Sequence, residues 1–230
     1  MRRLLVLGCS YSDYMAGGLT DVYGSILART LGWEYIHEGA GGGSNHRIWR
    51  KLYEHVHRSV TPEDVIVIQY TTQERTEFWT ARPPMASYMT PVSRGLTATV
   101  DESFDGGTVL RYKYGAGGWQ NTLTDRRFFD QYERNHVSVA WAQHQFMWTH
   151  WLLQARLRDL GQRVIFLHNR HCPQVDLESP LDAWAFTEPW DLLQQPEYRY
   201  QPEDTAHMNL RGHHHLAGLL ADHVRSLGWA

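Results

Sequence analysis

Three short runs constrain this fold more than any other feature of the chain: Arg3-Leu-Leu-Val-Leu7, Asp64-Val-Ile-Val-Ile-Gln-Tyr70 and Arg163-Val-Ile-Phe-Leu-His168. Each holds an unbroken apolar stretch instead of a polar/apolar alternation, the pattern of a strand covered on both faces. Such strands belong to parallel sheets with helices on either side, and the segments between them read accordingly. Tyr23 to Leu31 predicts a helix that Gly32 ends, and Trp33 to His37 a short second strand. Ser44 can cap a helix to about Ser59, with Ile48, Leu52 and Val56 every four residues on one face. A long helix is expected from about Arg126 to Leu160, stopped by Gly161, and a last one from Leu210 to Leu227 before Gly228. The expected fold class is therefore α/β, three layers (α/β/α) around a parallel sheet.

Residues 76–125 break this rhythm. Pro83-Pro84, Pro91, two glycine clusters and the alternating run Thr108-Val-Leu-Arg-Tyr-Lys-Tyr114 predict a loop insertion with a hairpin. At 230 residues a single α/β domain, 1–230, is expected, with this insertion at about 76–125 acting as a lid. A net charge of −3 and a pI near 6.5 give no electrostatic footprint for nucleic acid. The run Leu4 to Leu7 is too short for a signal core, and no stretch is long enough for a membrane span, so the default location is cytoplasmic. Two cysteines, Cys9 and Cys172, are too few for a disulfide framework.

The chemistry sits at the two ends of the chain. The first strand runs into Gly8-Cys9-Ser10, so an apolar strand delivers a serine into a turn at the carboxyl edge of the sheet, where substrates bind in such folds. A serine hydroxyl is a poor nucleophile near neutral pH; it needs an imidazole in reach and a carboxylate to orient that imidazole. Asp204 and His207, three residues apart, can supply both from one loop.

These residues resemble the SGNH (GDSL-type) hydrolases in four blocks spread from residue 4 to residue 215. Gly8-Cys9-Ser10-Tyr11-Ser12 resembles the G-D-S-x-S block, with cysteine in place of the usual aspartate. Ala40-Gly41-Gly42-Gly43-Ser44-Asn45 resembles the second block, and Asp204-x-x-His207-x-Asn209-x-x-Gly212-His213 the last. The usual G-x-N-D reads here Gln69-Tyr70-Thr71-Thr72, so Thr71 stands where the family has an oxyanion-binding asparagine. The resemblance implies a flavodoxin-like sheet of about five strands, the fifth lying somewhere before residue 204. It implies a serine esterase working through an acyl-enzyme, with Ser10 as nucleophile, His207 as base and Asp204 as orienting carboxylate. The oxyanion hole would comprise the Ser10 and Gly42 N–H groups, with Gly43 as the alternative glycine, and the Thr71 hydroxyl, with Thr72 and Asn45 as other donors. No cofactor is expected.

The aromatic residues Trp79, Tyr88, Tyr112, Tyr114 and Trp119 fall in or beside the insertion, where rings can stack on sugars, and the expected substrate is a small acyl ester such as O-acetyl on carbohydrate. Tyr11, Asn45, Tyr70 and Trp119 are the candidate substrate contacts. Trp141, Trp148 and Trp151, spaced seven and three apart on a helix, are expected in the core. His168-Asn-Arg-His171-Cys172 after a strand and the run His213-His-His215 both invite a metal reading, but three adjacent histidines on a helix point to different faces, and no metal is expected. The glycine run Gly41 to Gly43 lacks both dinucleotide spacing and a P-loop lysine. Two other readings of the same residues are a glycan-binding protein that no longer turns over, and an acyltransferase whose acceptor is a sugar or alcohol instead of water.

Overall fold

Alternate side chains of the apolar runs enter different cores. The computed structural model describes residues 1–9, 12–13, 21–40, 44–71, 75–80, 99–104, 107–113, 139–167, 185–186, 195–199 and 207–230. In β1 (Arg3–Gly8), Leu4 and Val6 pack on one side of the sheet while Leu5 and Leu7 pack on the other. In β3 (Val65–Gln69), Val65 and Val67 divide from Ile66 and Ile68 in the same way, and in β7 (Arg163–Leu167) Ile165 and Leu167 divide from Val164 and Phe166. With β2 (Glu34–Gly39) and the two-residue β8 (Ala185–Phe186), these strands form one parallel sheet in the order β2-β1-β3-β7-β8. Counting only its own strands, that order is 2-1-3-4-5, the flavodoxin-like winding whose switch point lies between the first and third strands.

Helices cover both faces, as the α/β/α expectation requires. On one, α1 (Tyr23–Leu31) packs beside α4 (Leu210–Ser226); on the other, α2 (Asn45–Arg58) contributes Ile48 and Leu52 and α3 (Val139–Asp159) contributes Phe146 and Leu157. The stop signals read from sequence operate as such: Gly32 and Gly161 follow α1 and α3 in the left-handed conformation, at φ 69° and 67°. The Ser44 hydroxyl caps α2 by accepting the Arg47 N–H at 3.1 Å. β8 is the fifth strand that the sequence left unplaced. Residues 126–138 of the expected long helix lie outside the described residues.

The insertion departs from the expected hairpin by one strand. β4 (Arg75–Thr80), β5 (Thr99–Phe104) and β6 (Gly107–Lys113) form a separate antiparallel sheet ordered β4-β6-β5, in which β5 and β6 are the hairpin. β4 opens only a few residues beyond Thr71, and its backbone runs beside α2.

Trp141, Trp148 and Trp151 are not in the core. They are 50%, 60% and 61% exposed, on the side of α3 opposite Phe146, His150 and Leu157. Spacings of seven and three put the three indoles on one face together; they do not say which face the sheet takes, and it took the other. Among the described residues, no helix is long and apolar enough to cross a membrane.

At the amino edge of the sheet Asp64 ties β1 to the turn before β3. Its carboxylate accepts the Arg3 N–H at 2.9 Å, the Arg3 guanidinium at 2.6 Å, and the Thr61 N–H and hydroxyl at 2.8 and 2.9 Å. Burial works against its charge, but these donors outweigh it and hold the carboxyl at about 2.

Candidate active site

The carboxyl edge gathers the residues of all four sequence blocks that the structure describes. β1 ends in Gly8 and the buried Cys9, and the chain doubles back so that the Ser12 N–H donates to the Cys9 carbonyl at 2.9 Å. Ser10 and Tyr11, between them, lie outside the described residues, as do Gly42, Gly43, Asp204 and Trp119. The Ser12 hydroxyl is buried; it donates to the Gln69 side-chain oxygen, so the Tyr23 phenol is the donor in the 2.8 Å contact with Ser12 Oγ. Gly8 is needed for this close packing: a Cβ there would come within 2.3 Å of Ser12 Oγ and 3.1 Å of Gln69 Cβ. Ser12, Gln69 and Tyr23 thus fix the exit of the turn after β1. Their sequence signal was the second serine of Gly8-Cys9-Ser10-Tyr11-Ser12, which carried no role when read alone.

Thr71, directly beyond β3, is fully buried and held by its backbone. The Asn45 amide accepts the Thr71 N–H at 2.9 Å and donates to the Thr71 carbonyl at 3.0 Å, a reciprocal pair that mimics a strand neighbour. Asn45 is 4% exposed and opens α2, so the helix start and the end of β3 are locked together. Asn45, a candidate substrate contact, thereby holds Thr71. Tyr70, also a candidate substrate contact, belongs to the core. It is fully buried, its ring between Phe146 and Phe166 (centroids 4.8 and 5.8 Å away), and its phenol meets His150 Nδ1 at 2.8 Å. The residue points down into the core because successive strand-end side chains alternate faces, and the side below is apolar.

His207 reaches the same edge through α4. At its far end that helix is tied to the amino edge, where the Arg2 guanidinium donates to the Trp229 carbonyl. Its first turn, at the opposite end, is bound to the first turn of α1: the Tyr23 N–H donates to His213 Nδ1 at 3.2 Å. His207, half-buried, lies just before that first turn. Asn209 caps the helix, accepting the Gly212 N–H at 2.9 Å, while its amide nitrogen donates to the carbonyls of Glu197 and Arg199 at 2.7 and 2.9 Å. The asparagine of the last block is therefore a clamp between His207 and the segment before it.

The three adjacent histidines separate as their helical positions require. His213 is 1% exposed, whereas His214 and His215 are exposed, His215 stacking on Tyr198. Burial, with the neighbouring His214 and His207, pushes the His213 imidazole down to about 4, so it is neutral near pH 7, with Nδ1 accepting and Nε2 carrying the proton. No cluster of three or more metal-ligating side chains occurs among the described residues. His168 to Cys172 lie outside them.

Close beside the site, Arg47 donates to the Glu38 carbonyl at 2.7 Å and His55 Nε2 meets the Glu38 carboxylate at 2.8 Å, with Lys51 at 3.8 Å. Burial opposes the charge on Glu38, but the His55 bond and the charges of Lys51 and Arg47 keep its carboxyl below the usual range. This group fastens the end of β2 to α2.

No family model matches the chain, and no curated protein matches it. Among solved structures it is similar to a psychrotrophic esterase from a Pseudoalteromonas species, in a structure inhibited by monoethylphosphonate, at 12% identity over 98% of this chain and 96% of that one, TM-score 0.43. It is also similar to an acetylxylan esterase from Geobacillus stearothermophilus, at 13% identity over 100% of this chain and 96% of that one, TM-score 0.44.

Proposed function

We propose that the protein is a serine ester hydrolase of the SGNH type. The observation that carries this reading is the convergence at one sheet edge. The chain leaves β1 at Gly8-Cys9, α4 begins just after His207, and Thr71 is clamped at the end of β3, all around the switch point of the sheet. Ser10, directly after Cys9, attacks the ester carbonyl as His207 takes its proton; Asp204 orients the imidazole and stabilises the imidazolium. The N–H groups of Ser10 and Gly42 and the Thr71 hydroxyl receive the oxyanion. The alcohol leaves with the proton from His207, and water, activated by the same imidazole, releases the acid from the acyl-enzyme.

The substrate class we favour is a small acyl ester, with O-acetyl groups on carbohydrate first. It is supported by the resemblance of the four blocks and by the aromatic residues in and beside the insertion.

The test is hydrolysis of p-nitrophenyl acetate by the wild type and Ser10→Ala, with a fluorophosphonate label located by mass spectrometry. Expected are label on Ser10 and a loss in the variant of at least ~10³-fold in kcat. A folded wild type with neither turnover nor label overturns the hydrolase reading and favours glycan binding on the same fold.

A further inference from the structure

We propose that His213 is a positioning residue which, through Tyr23, sets the distance between the base His207 and the nucleophile Ser10. The proposal rests on the triad reading above and adds what holds its two halves together.

The two residues come from opposite ends of the chain, and among the described residues no backbone hydrogen bond joins β1 to α4. Tyr23 spans the gap with its two polar ends. Its backbone N–H, in the first turn of α1, donates to His213 Nδ1 at 3.2 Å, six residues after His207. Its phenol donates to Ser12 Oγ at 2.8 Å, two residues after Ser10, and Ser12 in turn binds the Cys9 carbonyl through its N–H and Gln69 through its hydroxyl. Tyr23 is fully buried and His213 is 1% exposed, so water competes for neither contact. The rings stack, centroids 6.2 Å apart at 13°, which fixes the imidazole plane so that Nδ1 faces the backbone amide. The first turn of a helix has N–H groups with no partner inside the helix. Val22 at the cap of α1 has no side-chain oxygen to offer, and His213 serves one of these donors from another helix.

Around this contact the packing is aliphatic: Ile26, Leu27, Leu216, Ala217 and Leu220 fill the α1–α4 layer. Aliphatic contacts are non-directional and let two helices slide by fractions of an ångström at little cost. Among the described residues the hydrogen bond that joins the first turns of α1 and α4 is the one from Tyr23 to His213, and it resists a slide of α4 along α1 that would move His207 relative to Ser10. An error of about 1 Å between reacting groups can cost ~10²-fold in rate.

Three variants and two readouts test this. His213→Leu keeps the volume and removes the acceptor; His213→Asn places an amide oxygen near the position of Nδ1; Tyr23→Phe deletes only the phenol. With p-nitrophenyl acetate, His213→Leu is expected to lower kcat by ~10–100-fold with KM within about two-fold, and His213→Asn to restore most of it. Tyr23→Phe is expected to lower kcat by ~3–10-fold, the worth of about one hydrogen bond. Hydrogen exchange should show the Tyr23 amide protected in wild type and His213→Asn and deprotected in His213→Leu. Equal kcat for the leucine and asparagine variants overturns the proposal, because packing alone would then explain the residue. So does an unchanged kcat in Tyr23→Phe, which reports even where the leucine variant does not fold. A wild type that protects the Tyr23 amide but neither turns over nor labels at Ser10 overturns the hydrolase reading, and the positioning role with it.

Discussion

The two faces of the central sheet are built from different material, and each holds a different half of the proposed chemistry. Among the described residues the buried core under α1 and α4 is aliphatic around Tyr23, with Trp33, Tyr35, Tyr198 and Trp229 partly buried against it, and His207 precedes its helix α4. The face under α2 and α3 adds a cluster of rings to its aliphatic residues: Tyr70, Phe146, His150 and Phe166 interlock, with His150 and Phe166 edge to face at 4.8 Å, and α2 clamps the Thr71 backbone through Asn45. Aliphatic layers hold elements together without directing them, whereas interlocked rings have preferred angles and separations. On the first face, then, the helices are joined among the described residues by the hydrogen bond from Tyr23 to His213; on the second, geometry is shared among rings, an amide clamp and a buried polar chain.

The largest effect expected on the aliphatic side is that of His207→Ala. Loss of the proposed base should lower kcat by at least ~10³-fold without loss of stability, since the half-buried ring precedes α4 and is not its cap. A variant retaining a tenth of the activity would break the comparison, because α4 would then deliver nothing to the site. On the aromatic side the matching change is Asn45→Ala. It strips the partners from both the N–H and the carbonyl of a fully buried Thr71, so a stability loss of about 3 kcal/mol is expected together with a kcat fall of ~10²-fold. Urea unfolding and acetate-ester kinetics on the same sample read both. A loss of stability with kcat intact would leave Thr71 a structural residue and move the oxyanion donor elsewhere.

A smaller effect separates the faces by pH. His213 is held at about 4 in the folded protein against an ordinary value near 6.5, so the unfolded chain binds the extra proton first. The contribution to stability is therefore full above about pH 6.5 and is lost progressively down to about pH 4. Between pH 7 and pH 5 it amounts to ~2 kcal/mol. Burial depresses His37, His46 and His223 in the same sense, so the wild-type slope contains them too. The difference between wild type and His213→Asn isolates His213: the variant should lose about 2 kcal/mol less over that interval in chemical denaturation. Parallel curves for the two proteins would mean that His213 is not neutral inside the fold.

What the sequence showed follows the same division. β1, β3 and β7 were legible because four apolar residues in a row have one stable home, a sheet covered twice, and Ser44, Gly32 and Gly161 punctuate helices through local backbone chemistry. β4 was not legible: Arg75-Thr-Glu-Phe-Trp-Thr80 has no apolar run, and its partner β6 lies far along the chain. The roles of Asn45 and Tyr70 escaped for a related reason. Their partners, the Thr71 backbone and His150, stand 26 and 80 residues away, and spacing along a chain carries no information about such pairs. Periodicity placed the three α3 tryptophans on a common face without saying that Phe146 and His150 would claim the sheet. The proposed roles of Ser10, Gly42 and Asp204 rest on the sequence resemblance and on the described residues on either side of them.

The smallest effect is the sharpest test of how the aromatic face works. Gln154 donates its amide N–H to His150 Nε2 at 2.7 Å, so the neutral ring carries its proton on Nδ1 and donates to the Tyr70 oxygen at 2.8 Å. Tyr70→Phe removes that acceptor from a fully buried pair, which should cost about 1 kcal/mol of stability. If ring packing sets the geometry of this face, the phenylalanine keeps its place between Phe146 and Phe166 and Thr71 does not move, so kcat should stay within about three-fold of wild type. Tyr23→Phe, the same deletion on the aliphatic face, should then be the more damaging of the two to kcat even where their melting temperatures agree. The opposite order would show that the buried chain through His150 positions Thr71, and that both faces depend on single directed bonds.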